Sequence, residues 1–204
     1  MKLPDHLRKV VLASASSTRR DVLRKAGLSF EILPADIDED AVKKKKRAEG
    51  CSVKDIAQTL SDLKAEKVSE QRREAFVVGA DQMLESDGRW FDKPRNVRDA
   101  RDQLMKLRGD KHRLFSSVSV ALNGEVLFRH VECSLMTMRY FSDRFIASYL
   151  ESEKEDVCQS VGGYKLEGRG IQLFANVEGG YFDILGLPLL PLLAFLRTQG
   201  IVGD

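Results

Sequence analysis

The chain contains little cysteine and no cysteine motif. Cys51, Cys133 and Cys158 are far apart in the sequence, and none belongs to a CxxC pair. Disulfide frameworks and structural zinc sites both need paired or clustered cysteines, so neither is expected here. Isolated thiols suit a reducing compartment, and we therefore expect a cytoplasmic protein.

Long apolar runs are also missing. No stretch approaches the roughly 20 apolar residues that span a bilayer, and MKLPDHLRKVVLASAS lacks the apolar core of a signal peptide. The net charge is only +2, with acidic and basic residues interspersed, which argues against a surface that binds nucleic acid. We therefore expect one globular domain over residues 1–204, with neither a membrane nor a nucleic acid as partner.

Three common catalytic signatures are absent. The sequence contains no GxxxxGK[ST] loop, no GxSxG elbow and no HExxH pair. This argues against Walker-type phosphate binding, against a serine nucleophile of the hydrolase type and against a zinc protease site.

Predicted strands and helices alternate along the chain. Short buried strands are predicted at VVLASA, LSFEILP and AFVVGA, and two long strands flank the tight turn Asn123-Gly124. Helices are predicted between them, with Ser52, Asn96 and Ser142 as N-terminal caps. The pattern predicts an α/β fold with an elongated mixed β-sheet flanked by helices.

A hydroxyl-rich loop with two arginines follows the first predicted strand. In α/β proteins ligands bind at such strand ends, and a helix N-terminus attracts phosphate. The alternative is a capped helix with two solvated arginines. The candidate phosphate ligands are Ser14, Ser16, Ser17, Thr18, Arg19 and Arg20.

An acidic loop follows the second predicted strand. Asp36, Asp38 and Glu39 are oxygen ligands of the kind that a hard cation such as Mg²⁺ prefers. The alternative is a solvated loop. The basic run KKKKR that follows it is interpreted as a solvated loop or helix face.

Asp81 lies where the third predicted strand ends, and Lys93 lies beyond the tight turn Ser86-Asp87-Gly88. If the turn is centred on Asp87, the acid and the lysine face each other across two antiparallel strands. The simplest interpretation is a cross-strand ion pair worth roughly 0.2–1 kcal/mol. The alternative is a catalytic pair.

Lys64 interrupts an apolar helical stripe formed by Val53, Ala57, Leu60 and Val68. The lysine either extends its amine to solvent or points it at an anion in a partly buried cleft. The glycine-rich segment GGYKLEGRG, which contains Glu167, is a candidate binding loop, because glycine permits close approach of the backbone.

The sequence thus offers cations that could bind an anion, carboxylates that could bind a metal, and one acid at the end of a predicted strand. This combination fits hydrolysis of a phosphoanhydride. In this interpretation Asp81 activates water and Lys93 binds phosphate.

The same residues resemble a known family, the Maf nucleotide pyrophosphatases. LASASSTRR is similar to the family's N-terminal signature, DIDE to its acidic loop, GADQ to its catalytic strand end and DKPRN to its lysine-proline motif. SVGGYKLEGRG and GLPLLPLLAFL are similar to its C-terminal blocks. These motifs occur in the family's order and extend from about Val10 to Arg197.

The resemblance implies a Maf/ITPase-like fold with a nucleotide cleft between two lobes. It implies a cytoplasmic, usually dimeric enzyme that cleaves a nucleoside triphosphate to the monophosphate and pyrophosphate with Mg²⁺ or Mn²⁺. The catalytic residues would be Asp81, Glu39, Lys64 and Lys93, with Glu39 and Asp81 at the metal. The substrate-binding residues would be Ser14, Ser16, Arg19 and Arg20.

Substrate choice within the family is expected to depend on Thr18, Gln82 and Glu167. The pattern ADQ with KLEG is similar to the branch that acts on 7-methyl-GTP, rather than to the dTTP/UTP branch with ADT and IQG. The alternatives are a pyrophosphatase for dTTP, UTP or other nucleotides, and a non-catalytic nucleotide sensor that regulates cell division.

Overall fold

The computed structural model describes residues 9–203. Short 3₁₀ segments occupy Lys154–Gln159, Val161–Gly163 and Arg169–Leu173. The strands are β1 (Lys9–Leu12), β2 (Glu31–Ile32), β3 (Ala75–Ser86), β4 (Arg89–Phe91), β5 (Lys111–Leu122), β6 (Glu125–Met138) and β7 (Phe174–Glu178). The helices are α1 (Ser17–Lys25), α2 (Glu39–Ala48), α3 (Val53–Gln71), α4 (Val97–Leu107), α5 (Asp143–Glu153), α6 (Tyr181–Ile184) and α7 (Leu189–Thr198).

The strands form one seven-stranded sheet in the order β2-β1-β3-β5-β6-β7, with β4 paired to β3. β1 runs parallel to both β2 and β3, whereas β3 with β4 and β6 with β7 are antiparallel. The prediction of an α/β fold with a mixed sheet flanked by helices is confirmed. No helix within residues 9–203 is long and apolar enough to cross a lipid bilayer.

Hydroxyl and amide side chains begin the helices as the sequence predicts. Ser52, Asn96 and Ser142 each accept a hydrogen bond from the backbone N–H three residues later. Such a cap satisfies one of the backbone N–H groups that the first turn of a helix leaves without a partner. These caps fix the first turns of α3, α4 and α5.

The turn after β3 corrects the predicted strand register. Its loop consists of Asp87 and Gly88, both with positive φ, so the two-residue turn is centred between them rather than on Asp87. The pairs therefore run from Ser86 with Arg89 to Leu84 with Phe91, one residue away from the predicted register. Lys93 follows the end of β4, so Asp81 and Lys93 are not among the paired residues of the two strands, and their proximity stays a prediction.

Several element boundaries differ from the prediction. β2 has two residues instead of seven. β3 extends to Ser86, so Asp81 lies within the strand rather than at its end, as the segment AFVVGA had suggested. The short α6 was not predicted. The basic run is part of α2, a helix without a buried residue, in agreement with its interpretation as a helix face.

The backbone divides into two compact units. The first comprises residues 9–81, 116–132 and 186–203 of the described chain. One apolar cluster within it packs β1 and β3 against α3, through Val11, Ala13, Val68, Ala75 and Val77. This packing holds the start of β3 against β1 and the last turns of α3.

The second unit comprises residues 82–115 and 133–185 and has its own apolar core. His112 lies within that core, 1% exposed, with Nε2 2.7 Å from the hydroxyl of Tyr164 and its ring near Phe174. Its Nδ1 is buried without a hydrogen-bond partner among the described residues. Burial lowers the pKa of His112 from the usual 6.5 to about 4.

The buried imidazole predicts a loss of stability in mild acid. Below pH 6.5 the unfolded chain takes up a proton that folded His112 does not bind until about pH 4. The free energy of unfolding should therefore fall by about 1.4 kcal/mol per pH unit across this window, for a total of about 3 kcal/mol. Urea unfolding at pH 7, 6 and 5 measures this slope.

Two variants identify the residue responsible. His112→Gln should flatten the pH dependence, whereas His130→Gln, at a partly exposed histidine, should leave it unchanged. An equally steep slope in the His112 variant would assign the effect to other groups.

Candidate active site

Strand β3 and helix α3 bring a lysine and an aspartate together in the interior of the first unit. Lys64 Nζ lies 2.7 Å from Asp81 Oδ1, and the two residues are 7% and 5% exposed. The approach depends on Gly79, because a Cβ there would lie 2.3 Å from the carbonyl oxygen of Ser61 and 2.7 Å from the backbone nitrogen of Ala65. Of the two interpretations of Lys64, the structure supports the lysine that faces an anion.

The acidic loop adds a second carboxylate to the same lysine. Glu39 Oε1 lies 2.8 Å from Lys64 Nζ. Glu39 is the first residue of α2, where the Asp38 side chain caps the helix by accepting the N–H of Ala41. The Lys67 amine also donates to the carbonyl of Asp36 and so holds the loop on α3. Of the three acids in this loop, Glu39 is the one whose carboxylate reaches Lys64.

Burial dominates the electrostatics of Asp81. Desolvation raises the pKa of its carboxyl, against the opposing effects of Lys64 and Arg19. Its second oxygen, Oδ2, is buried and has no hydrogen-bond partner among the described residues. A buried carboxylate oxygen without a donor is costly, and it marks a position where a ligand, water or cation can bind. At Glu39, burial acts to raise the pKa, but Lys64 and other cations bring it below the usual value.

Arg19 connects three segments next to this pair. Its Nε donates to the carbonyl of Gly186 at 2.8 Å, and its Nη1 donates to the carbonyl of Ala80 at 2.9 Å and to Ser14 Oγ at 3.2 Å. Two of its three nitrogens are therefore committed to the protein, and Nη2 remains for a phosphate. The guanidinium adds positive charge near Asp81 while it holds the middle of β3 in place.

The other residues of the hydroxyl-rich loop have different surroundings. Ser16 caps α1 by accepting the N–H of Arg19. Arg20 is partly exposed, with its Nε 3.2 Å from Asp21 Oδ1. Thr18 is partly exposed on the first turn of α1. Of this loop, Ser14 and Arg19 contact each other where Arg19 also reaches the carbonyl of Ala80 in β3.

Three predicted residues belong to the second unit. Gln82 is partly buried, and its amide donates to the carbonyls of Asp183 and Ile184 at 3.3 and 2.9 Å. Glu167 is exposed in the turn between two 3₁₀ segments, and Lys93 is exposed beyond β4. Their proposed contacts with a substrate stay predictions.

Two residues that position Asp81, Ser117 and Gly79, were not predicted from the sequence. The Ser117 hydroxyl lies 2.6 Å from the carbonyl of Ala57 and 3.4 Å from the carbonyl of Asp81, and thus joins β5, α3 and β3. Gly79 permits the close approach of β3 to α3. A glycine within an otherwise apolar strand is the signal that could have identified this contact.

The carboxylates of this site fit a hard divalent cation that binds together with a phosphate-containing ligand. Mg²⁺ commonly takes one or two protein carboxylates and completes its shell with water and phosphate oxygens. Glu39 and Asp81 supply two carboxylates next to the same lysine, and Asp81 Oδ2 has no protein donor. Residues 9–203 contain no group of three or more His, Cys, Asp or Glu that could hold a metal ion by itself.

Comparison with known proteins identifies the family. Residues 9–199 match the sequence profile of the family described as Maf-like protein. The chain belongs to the Maf-like protein family.

Relatives with assigned activities match nearly the whole chain. A protein of Granulibacter bethesdensis named nucleoside triphosphate pyrophosphatase is 50% identical over 94% of this chain and 97% of its own length. A protein of the same name from Paramagnetospirillum magneticum is 47% identical over 93% and 98%. A 7-methyl-GTP pyrophosphatase of Mesorhizobium japonicum is 45% identical over 95% and 98%.

The close approach at Gly79 predicts that Gly79→Ala separates α3 from β3. The added methyl group would overlap backbone atoms of Ser61 and Ala65, so the free energy of unfolding should decrease by ~1–3 kcal/mol. Gly203→Ala is the control, since a Cβ there meets no atom within 4 Å. Urea denaturation compares the two variants, and equal stability would show that α3 adjusts without cost.

Proposed function

We propose that this member of the Maf-like family hydrolyses a nucleoside triphosphate to the monophosphate and pyrophosphate. The observation that carries the proposal is the buried Asp81, whose Oδ1 contacts Lys64 at 2.7 Å while Oδ2 has no donor. Lys64 also contacts Glu39, so two carboxylates and one cation share a single site. The names and the near-complete coverage of the relatives support the reaction class.

Asp81 is the proposed general base. A water molecule at Oδ2 would give its proton to the carboxylate while its oxygen attacks the α-phosphorus. The bond from that phosphorus to the bridging oxygen breaks, and pyrophosphate leaves. Burial raises the pKa of Asp81, which makes its carboxylate a stronger proton acceptor.

The cations would counter the charge of the phosphates. Lys64 stays next to Asp81, where its charge opposes the rise in the pKa of the carboxyl, and Arg19 would offer Nη2 to a phosphate oxygen. Lys93 would bind phosphate as well, as the family resemblance implies. Ser14 and Ser16 would complete the phosphate site at the start of α1, and partly exposed Arg20 would bind phosphate at its edge.

Glu39 and Asp81 would hold the divalent cation, Mg²⁺ or Mn²⁺. Bound there, such an ion would neutralise phosphate charge and make water more acidic. The charges of the two carboxylates and the buried Oδ2 support this assignment.

The proposed substrate is 7-methyl-GTP, with Thr18, Gln82 and Glu167 as the residues that determine the choice of base. A relative named 7-methyl-GTP pyrophosphatase, 45% identical to this chain, supports this substrate. The relatives named nucleoside triphosphate pyrophosphatase do not specify a base. We also propose a cytoplasmic homodimer, as the family resemblance implies.

Asp81→Asn should abolish turnover while nucleotide binding remains. The amide cannot accept the proton of the attacking water, so kcat should fall by about 10²–10⁴-fold. Pyrophosphate release and calorimetric nucleotide binding are measured side by side with Mg²⁺ or Mn²⁺. Asp102→Asn, at an exposed aspartate of α4, is the charge-matched control.

Each outcome of this experiment has a defined meaning. Comparable turnover in the Asp81 variant would contradict its role as base. Binding without turnover in the unmodified protein would instead favour the non-catalytic nucleotide sensor.

Substrate choice is tested with 7-methyl-GTP, GTP, dTTP, UTP, CTP and ITP. Glu167→Gln together with Gln82→Thr should shift the ranking of kcat/KM towards dTTP or UTP. Gln82→Thr should also lower stability, because its amide holds the carbonyls of Asp183 and Ile184, whereas exposed Glu167→Gln should not. An unchanged ranking in the double variant would place the specificity determinants elsewhere.

A further inference from the structure

We propose that Lys43 on α2 is a further substrate-binding residue, which contacts the polyphosphate next to Glu39. The proposal rests on the proposed function, since it assumes that the anion at Lys64 and Glu39 is a polyphosphate. It selects one lysine from the run of four at residues 43–46.

The exposure pattern of α2 defines an inner face. The helix has no fully buried residue, but four of its residues are partly buried and the rest are exposed. The partly buried residues are separated by three, one and three positions, which places them on one side of a helix. They are Glu39, Val42, Lys43 and Lys46.

The contacts of its first turn fix the position of this inner face. Glu39 Oε1 lies 2.8 Å from Lys64 Nζ, and the loop before α2 is held by the hydrogen bond from Lys67 to Asp36. Lys43 lies one turn after Glu39 on the same face. Because residues one turn apart are neighbours on a helix surface, the Glu39 and Lys43 side chains share this face.

The charge of Lys43 already acts on Glu39. Burial tends to raise the pKa of Glu39, and Lys64, followed by Lys43 and Arg19, reverses this effect and lowers it. The charges of two lysines, Lys64 on α3 and Lys43 on the same helix, therefore act on Glu39. A carboxylate that would hold a divalent cation, with two lysines near it, suits a polyanion that arrives with that cation.

The remaining lysines of the run have different surroundings. Lys46 lies a further turn along the same face, and its Nζ is 2.8 Å from Glu49 Oε2. Lys44 and Lys45 are exposed on the outer side of the helix. Interpretation of the basic run as a solvated helix face fits the exposed Lys44 and Lys45, whereas Lys43 is partly buried.

Lys43→Gln tests the proposal, with Lys44→Gln as the matched control on the outer side of the same helix. We expect KM for the preferred triphosphate to rise about tenfold in the Lys43 variant, with kcat within about twofold, because one charge-assisted contact to phosphate is lost. Lys43→Arg should restore most of the affinity. Calorimetry with inorganic pyrophosphate should show the same loss of about tenfold, independently of turnover.

The outcomes separate this inference from the proposed function. Equal losses of affinity in the Lys43 and Lys44 variants would indicate a general electrostatic effect and overturn the contact. If Lys43→Gln leaves both turnover and pyrophosphate binding unchanged, the contact is overturned as well. Pyrophosphate binding that depends on Lys43, in a protein that hydrolyses no triphosphate, would support Lys43 and overturn the hydrolytic function. An unmodified protein that neither binds pyrophosphate nor turns over a triphosphate would overturn both.

Discussion

The buried contact between Lys64 and Asp81 is the constraint around which the first unit is organised. Removing an ammonium and a carboxylate from water costs several kcal/mol for each ion, and their attraction offsets this cost only with good geometry. Here the lysine is shared with Glu39, and Asp81 Oδ2 has no donor. A pair arranged for stability alone would satisfy that oxygen, so we interpret the open position as functional.

The neighbouring backbone is arranged to keep this contact in place. Gly79 lets β3 approach α3, and Ser117 joins both elements through its hydroxyl. Arg19 holds the middle of β3 through the carbonyl of Ala80 and reaches Gly186 near the start of α7. A residue expected only to bind phosphate thus also positions the strand next to Asp81, and replacing it would affect both roles.

Local signals in the sequence predicted most of the secondary structure and part of the site. The caps at Ser52, Asn96 and Ser142 and the Asn123-Gly124 turn occur where they were predicted, because each depends on a few adjacent residues. The predicted pairing of β3 with β4 is off by one residue at the Asp87-Gly88 turn, since the pairing depends on which two residues occupy the loop. The predicted β2 is longer than the two residues observed. Its length is determined by pairing with β1 rather than by local propensity.

The sequence by itself determined the type of chemistry: carboxylates in an acidic loop and after an apolar strand segment, with an unexpected lysine on an apolar helical stripe. These are local patterns of polarity, and they can be read without a fold. The tertiary structure alone decided that Asp81 lies within β3, that Lys64 contacts both Glu39 and Asp81, and that Arg19 donates two nitrogens to backbone carbonyls. It also decided that Lys43 is partly buried while Lys44 is exposed. Such choices depend on how helices pack on the sheet, and the contacts involved join residues far apart in the chain.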